Sequence, residues 1–182
     1  VRSWQNPGNV NYQGRAAFSP VRNLLVATTA YKTLSLVDLD SGRESILWRA
    51  PGEGWWSIRD LSFSQDGSRL AIYAGSDPKH GAAVWVVNVP SGTTENRYPT
   101  LCPVSWWLGA ARLSPDGGRL YLSRTEPSNN GYRIQCFDLE TDHELWRTDL
   151  QADDALGALA VSPDGRVLAS ASVYRDLSIR LW

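Results

Sequence analysis

Short apolar runs, each bounded by turn-forming residues, recur along the whole chain in one repeating order. The first run of each unit is Ala16 to Phe18, Leu61 to Phe63, Ala111 to Leu113 and Ala158 to Val161. A second follows at Leu24 to Thr28, Leu70 to Tyr73, Leu120 to Ser123 and Val167 to Ala171, rich in residues that suit a pleated, buried surface. The third, at Leu34 to Val37, Ala83 to Val87, Arg133 to Phe137 and Leu177 to Leu181, alternates apolar and polar positions in several copies, as a half-buried strand does. A fourth carries Leu47-Trp48-Arg49 or Leu145-Trp146-Arg147. We label these strands a, b, c and d.

The punctuation between the runs sets the period. Ser19-Pro20, Ser64-Gln65-Asp66-Gly67, Ser114-Pro115-Asp116-Gly117 and Ser162-Pro163-Asp164-Gly165 begin at 19, 64, 114 and 162, which are 45, 50 and 48 residues apart. Self-similarity at such a period marks a repeat architecture. Pro presets φ at the second turn position and Gly accepts the positive φ that closes the turn toward strand b. Asp38 to Gly42, Asn88 to Gly92 and Asp138 to Asp142 supply the turns between c and d. Four short strands per unit fit one blade of a β-propeller, so the expected fold is all-β, with four blades of four antiparallel strands.

The pattern resembles the WD-repeat propeller family over nearly the whole chain. The resemblance is strongest in the last unit, where Leu168 to Ser172 is followed by Asp176-Leu177-Ser178-Ile179-Arg180-Leu181-Trp182. Other units depart from the family pattern. No Gly-His pair precedes any strand a, and the two histidines, His80 and His143, lie in turns, so the family's Asp-His-Ser-Trp tetrad cannot be completed. Asp176 and Trp182 match its two outer members.

Spacing assigns the ends. Trp48 and Trp146 each lie 16 residues before a marker serine, and Trp4 lies 15 before Ser19, so Trp4 takes a strand d position. Unit four stops after strand c. The expected blades are about 15–50, 58–99, 108–149, and 156–182 completed by 1–4. Three assemblies follow: a closed four-bladed ring, a half-ring paired with another copy as a homo-oligomer, or a slice of a larger propeller, the resemblance implying around seven blades. The chain contains no Met, even at position 1, and is read as a piece of a longer polypeptide.

Composition narrows function by exclusion. Of the 182 residues 42% are hydrophobic, enough to bury a real core. Lys plus Arg number 18 against 19 Asp plus Glu, without the basic excess that phosphate-backbone binding needs, so nucleic acid is not the expected partner. No apolar run approaches the ~20 residues needed to cross a bilayer, so no membrane association is expected. Cys102 and Cys136 are too few for a disulfide framework and have no metal-ligand spacing; they read as free, half-buried thiols, which leans toward a cytoplasmic setting. No nucleophile elbow, general base or phosphate loop is present, and Asp153-Asp154 reads as a solvated loop. The expectation is a nonenzymatic chain without cofactor or metal.

What remains is a surface. In a propeller the d–a and b–c loops emerge on one face, and the a–b and c–d turns on the other. The turn face reads as short and stereotyped. The loop face carries Tyr12, Trp55-Trp56 and Trp106-Trp107 at 7 to 9 residues before the marker serines, together with Tyr31, Lys79, His80, Asn130, Tyr174 and Arg175. Aromatic and Arg anchors among polar loops are the composition of a protein- or peptide-binding surface. Adjacent rings in an extended segment point to opposite sides, so one Trp of each pair is expected to be available, whereas Trp48, Trp146 and Trp182 are expected to pack. The favoured reading is a noncatalytic interaction scaffold or sensing propeller of a larger protein. The alternative is an accessory propeller of a hydrolase or quinoprotein whose catalytic groups lie elsewhere.

Overall fold

The computed structural model describes residues 14–30, 32–52, 57–75, 82–100, 109–126, 131–150, 156–172 and 177–182. Blade one is β1 (Ala16–Phe18), β2 (Leu24–Ala30), β3 (Thr33–Asp38) and β4 (Glu44–Arg49). Blade two is β5 (Ser57–Phe63), β6 (Arg69–Gly75), β7 (Ala82–Asn88) and β8 (Thr94–Thr100). Blade three is β9 (Ala111–Leu113), β10 (Arg119–Glu126), β11 (Gly131–Asp138) and β12 (Glu144–Leu150), and blade four is β13 (Leu156–Val161), β14 (Leu168–Ser172) and β15 (Ile179–Leu181). Within each sheet the strands lie side by side in chain order, and all pairs are antiparallel.

Burial follows from the packing of sheets in a row. Blade two lies between two neighbours, and β7 is buried at every position from Ala82 to Val87, so its sequence is a continuous apolar run without alternation. Three apolar clusters fill the three gaps. Val26, Leu34 and Trp48 of blade one meet Leu70, Ile72 and Trp85 of blade two. Ala71, Tyr73, Val84 and Val86 of blade two meet Leu113, Leu120 and Leu122 of blade three. Tyr121, Ile134 and Cys136 of blade three meet Leu156, Leu159 and Leu168 of blade four. A fully buried Leu such as Leu120 or Leu122 contributes roughly 1.5–3 kcal/mol, so these gaps are the chief source of stability.

Bulges bend several strands, and those of β5 and β13, and of β7 and β11, fall at matching stations. β5 shifts register between Ile58 and Asp60, and β13 at the equivalent place between Leu156 and Ala158. Each c–d pair also shifts once: at Leu34/Ser35, Val86/Val87 and Cys136/Phe137. Such insertions add local twist, which the blades of a propeller require.

Successive blades pack in order, β1 on β5, β5 and β6 on β9, and β9 and β10 on β13, and the row does not close. Among the arrangements open from sequence, the described sheets are thus an arc and not a closed four-bladed ring. Val1 to Trp4, expected to finish blade four, lie outside the described residues. Three details correct the sequence reading. The last strand begins at Ile179, because Leu177 sits at φ 46, a left-handed conformation that no strand residue holds. Trp182 lies beyond that strand and is 39% exposed, since no blade covers its outward side among the described residues. Cys136 is wholly buried, since β11 carries it into the gap between blades three and four.

Candidate interaction faces

The turn face is built from hydrogen bonds that each blade satisfies internally. In the a–b turns, the hydroxyls of Ser64, Ser114 and Ser162 donate to Oδ1 of Asp66, Asp116 and Asp164 at 2.6, 2.5 and 2.6 Å. The same hydroxyl oxygens accept from the N–H of Arg69, Arg119 and Val167 at 3.0, 2.8 and 2.9 Å. Each carboxylate therefore sits among donors, and the serine hydroxyl and a backbone N–H hold Asp66, Asp116 and Asp164 below the usual carboxylate range. Gly67, Gly117 and Gly165 close these turns at φ 68, 71 and 72. In the c–d turns, Oδ1 of Asp38, Asn88 and Asp138 accepts from the N–H of Ser41, Ser91 and Thr141 at 2.7, 3.1 and 2.8 Å.

Pins then join one blade to the next on this face. The N–H of Gln65 donates to the Pro115 carbonyl at 2.9 Å, and Arg69 reaches from blade two to the Gly117 carbonyl at 2.8 Å while holding Glu95 at 2.8 Å. Tyr98 of blade two donates its hydroxyl proton to Asp142 of blade three at 2.6 Å. A cleft of ≈ 520 Å³ crosses the turns of blades two, three and four, lined in part by Asp66, Asp116, Arg119, Tyr121 and Asp164. The stereotyped turns are thus less uniform than their sequence suggests, because neighbouring blades bring their charges to one place.

The loop face is described only at its margins. Tyr12, Tyr31, Trp55, Trp56, Lys79, His80, Trp106, Trp107, Asn130, Tyr174 and Arg175 all lie outside the described residues, as does Cys102. At the margins, Lys32 donates its ammonium to the Gly52 carbonyl at 2.9 Å, tying the b–c loop of blade one to the following d–a segment. Arg133 and Asp149 pair at 2.5 Å beside the b–c loop of blade three, an interaction that lowers the Asp149 pKa. Between blades, Arg15 donates to the Arg59 carbonyl at 2.6 Å at an exposed position, and Asp60 pairs with Arg112 across the gap between blades two and three. Sequence reasoning missed these cross-blade residues. Arg112, a lone charge between Ala111 and Leu113, is the one of them that stands out in its strand.

The strand tryptophans are structural. Trp48 is buried with its ring centroid 5.1 Å from that of Trp85, and Arg97 lies 5.7 Å above the Trp85 ring. Trp146, half-buried, sits 6.2 Å from Tyr121. Trp182, though exposed, donates its indole N–H to the Ser170 hydroxyl at 3.0 Å, so the Ser–Trp link of the family's tetrad persists without its histidine. Burial pushes the Cys136 thiol up to about 11, which leaves it a packing group and not a nucleophile. Among the described residues no group of three or more His, Cys, Asp or Glu could hold a metal, and no helix is long and apolar enough to cross a membrane.

Three four-stranded antiparallel sheets and one three-stranded sheet, packed in series, define a β-propeller arc. The "WD domain, G-beta repeat" family model matches residues 147–182, which cover the end of β12 and the fourth unit. Solved WD40 domains share the fold. The WD40 domain of Toxoplasma gondii coronin superposes with a TM-score of 0.66 at 11% identity, covering 87% of this chain and 39% of that one. The structure of U3-55K gives 0.66 at 14% identity over 92% of this chain and 47% of its own. The RRP9 WD40 repeats give 0.65 at 15% identity, with 92% and 46% coverage. No curated protein sequence matches. The chain shares the fold of these WD40 propellers, and it spans less than half of their length.

Proposed function

We propose that this chain is a noncatalytic interaction scaffold that binds a protein or peptide partner through its loop face. The observation that supports this most is the difference between the two faces. The turn face uses its own serines, aspartates and glycines to satisfy itself and to lock neighbouring blades, and so forms a rigid base. The segments that lead to the loop face carry aromatic residues at equivalent stations before the first three strands a, and the b–c loops add polar side chains. Rigid support beneath aromatic anchors lowers the ordering entropy that binding would otherwise lose.

The partner-contacting residues are assigned as Tyr12, Tyr31, Trp55, Trp56, Lys79, His80, Trp106, Trp107, Asn130, Tyr174 and Arg175. Partner capture from a lysate, followed by identification of the retained protein, tests this with four single variants: Trp55→Ala, Trp56→Ala, Trp106→Ala and Trp107→Ala. One member of each pair should abolish capture and leave the melting temperature within a few degrees of the parent. If every variant that loses the partner also loses stability, the tryptophans are packing groups and the assignment fails.

A further inference from the structure

The face that blade three turns toward blade two changes character along its length. Toward the turn face it is apolar, with Leu120, Leu122 and Phe137 packed against Ala71, Tyr73 and Val86 of blade two. Toward the loop face, the row across β10, β11 and β12 is Arg124, Arg133 and Asp149, set side by side by the strand register. Counted from the marker serines, the station of Arg124 holds Thr29, Ala74 and Ser172 in the other blades, and that of Arg133 holds Ala83 in blade two. Ala74 and Ala83 pair directly and are wholly buried. A blade therefore does not need charge at this level, yet blade three places two guanidiniums there.

Charge on the row is unbalanced. Like charges directly opposite each other on a sheet repel, and the Asp149 carboxylate hydrogen-bonds one of the two, accepting from Arg133 at 2.5 Å. Glu144, the other carboxylate on this face of blade three, accepts from Gln135 Nε2 at 2.5 Å and lies 3.6 Å from Arg147. Among the described residues no carboxylate lies within ion-pair distance of Arg124. Its Nε is shielded from solvent, and no described residue accepts its hydrogen. A desolvated guanidinium without an acceptor destabilises the fold, and a carboxylate is the group whose two oxygens match its fork. The row is within reach from outside, since the Asp149 side chain is 59% exposed and Arg124 is half-buried. β10 ends at Glu126 and β11 begins at Gly131, so the row abuts the b–c loop that carries Asn130.

We propose that Arg124, with Arg133 beside it, takes an aspartate or glutamate side chain of an acidic partner segment, an inference that rests on the loop-face reading for its occupant. The incoming carboxylate supplies the acceptor that Arg124 lacks and sets negative charge between two guanidiniums. A basic segment would meet repulsion at the same place.

Fluorescence anisotropy of the full chain, with labelled hexaglutamate as the probe and hexaglutamine as the neutral control, tests this. Saturable binding of hexaglutamate alone is expected, weakening as salt rises. Arg124→Met should lower that affinity by about tenfold or more. Its melting temperature should equal or exceed the parent's, because an unpaired buried donor is removed. Arg124→Lys keeps the charge without the fork and should fall between the two. Arg43→Met, at an exposed arginine beside a c–d turn on the opposite face, should leave binding unchanged. Hexaglutamate bound no better than hexaglutamine, or bound equally by Arg124→Met, overturns the proposal. So does a clear drop in the melting temperature of Arg124→Met, which would make Arg124 a structural group. Tryptophan variants that all keep the captured partner sink the loop-face reading while Arg124-dependent hexaglutamate binding stands. A partner lost with a tryptophan yet kept by Arg124→Met sinks the acidic-segment proposal alone.

Discussion

Tyr98 in blade two donates to the Asp142 carboxylate in blade three at 2.6 Å, and Asp142 holds φ 59 at the turn position where blades one and two have Gly42 and Gly92. A left-handed conformation costs a non-glycine residue roughly 1–2 kcal/mol. The same conformation turns the Asp142 side chain toward the neighbouring blade, where a hydrogen bond to a charged acceptor returns about 1.5–3 kcal/mol. Burial and the Asp142 carboxylate both raise the Tyr98 pKa, as expected of a phenol held as a donor.

Tyr98→Phe should therefore destabilise by about 1–2 kcal/mol, because Asp142 is exposed and recovers part of the loss by hydration. Asp142→Gly should lie within about 1 kcal/mol of the parent, since relief of strain offsets the lost bond, yet it should stabilise the Tyr98→Phe background by about 1 kcal/mol. Urea midpoints of the four proteins in this cycle measure the coupling. Additive effects would show that the two residues are independent.

Gly92 sits at the same turn position under an opposite constraint. A Cβ there would meet the Leu47 carbonyl at 3.2 Å, at φ 70. Gly92→Asp should therefore lower stability by about 1–3 kcal/mol, despite restoring the residue found in blade three. Gly117→Ala should act similarly, its added carbon falling 3.1 Å from Ser64 Cβ. Thermal unfolding of both variants checks the expectation, and an unchanged midpoint would contradict the turn-on-turn packing.

Core and surface substitutions should separate cleanly. Leu122→Ala, in the gap between blades two and three, is expected to lose about 2–5 kcal/mol. Ile46→Ala, at a position 53% exposed on β4, should change stability by less than about 0.5 kcal/mol. Equal losses at the two sites, read from urea unfolding, would mean that the strand d outer edge is not where the structure puts it.

Acid should unfold the protein partly through its a–b turns. Asp66, Asp116 and Asp164 are held below the ordinary carboxylate value of 3.8, so as pH falls the unfolded chain takes up protons first. Their contribution is complete above that value and is lost as pH drops through the folded values. Replacing Ser64, Ser114 and Ser162 by Ala should flatten the fall in urea midpoint below about pH 4. At the alkaline end Cys136 has the reverse sign. Its folded value is raised from 9.0 to about 11, so its share of stability is present below 9.0 and is lost across that interval. Cys136→Ala should weaken the alkaline decline between those limits.

Legibility differed between the fold and the site for physical reasons. Turn chemistry is local, so the marker serines and their Asp-Gly partners revealed the period, the strand order and the positive-φ glycines directly. β7 was legible as well, because a strand covered on both faces needs an unbroken apolar run. Exact strand ends were not, since they depend on pairing partners; β10 runs on to Glu126 through its ladder with β11. The blade-to-blade pins were hidden because they join residues far apart in sequence, as Arg69 and Gly117 do, and no local pattern encodes such a pair. Binding residues had the least support, since a tryptophan in a loop has the same local signature whether it anchors a partner or fills a gap.

Backbone hydrogen exchange resolved by strand tests the radial arrangement most directly. Strands b and c of the middle blades, β6, β7, β10 and β11, are flanked on both edges and covered on both faces, so their amides should exchange slowest and together, near the rate of global unfolding. The outer strands β4, β8 and β12 should open earlier. Protection as strong in those outer strands as in β7, or rapid exchange throughout β6 and β7, would contradict the succession of packed blades.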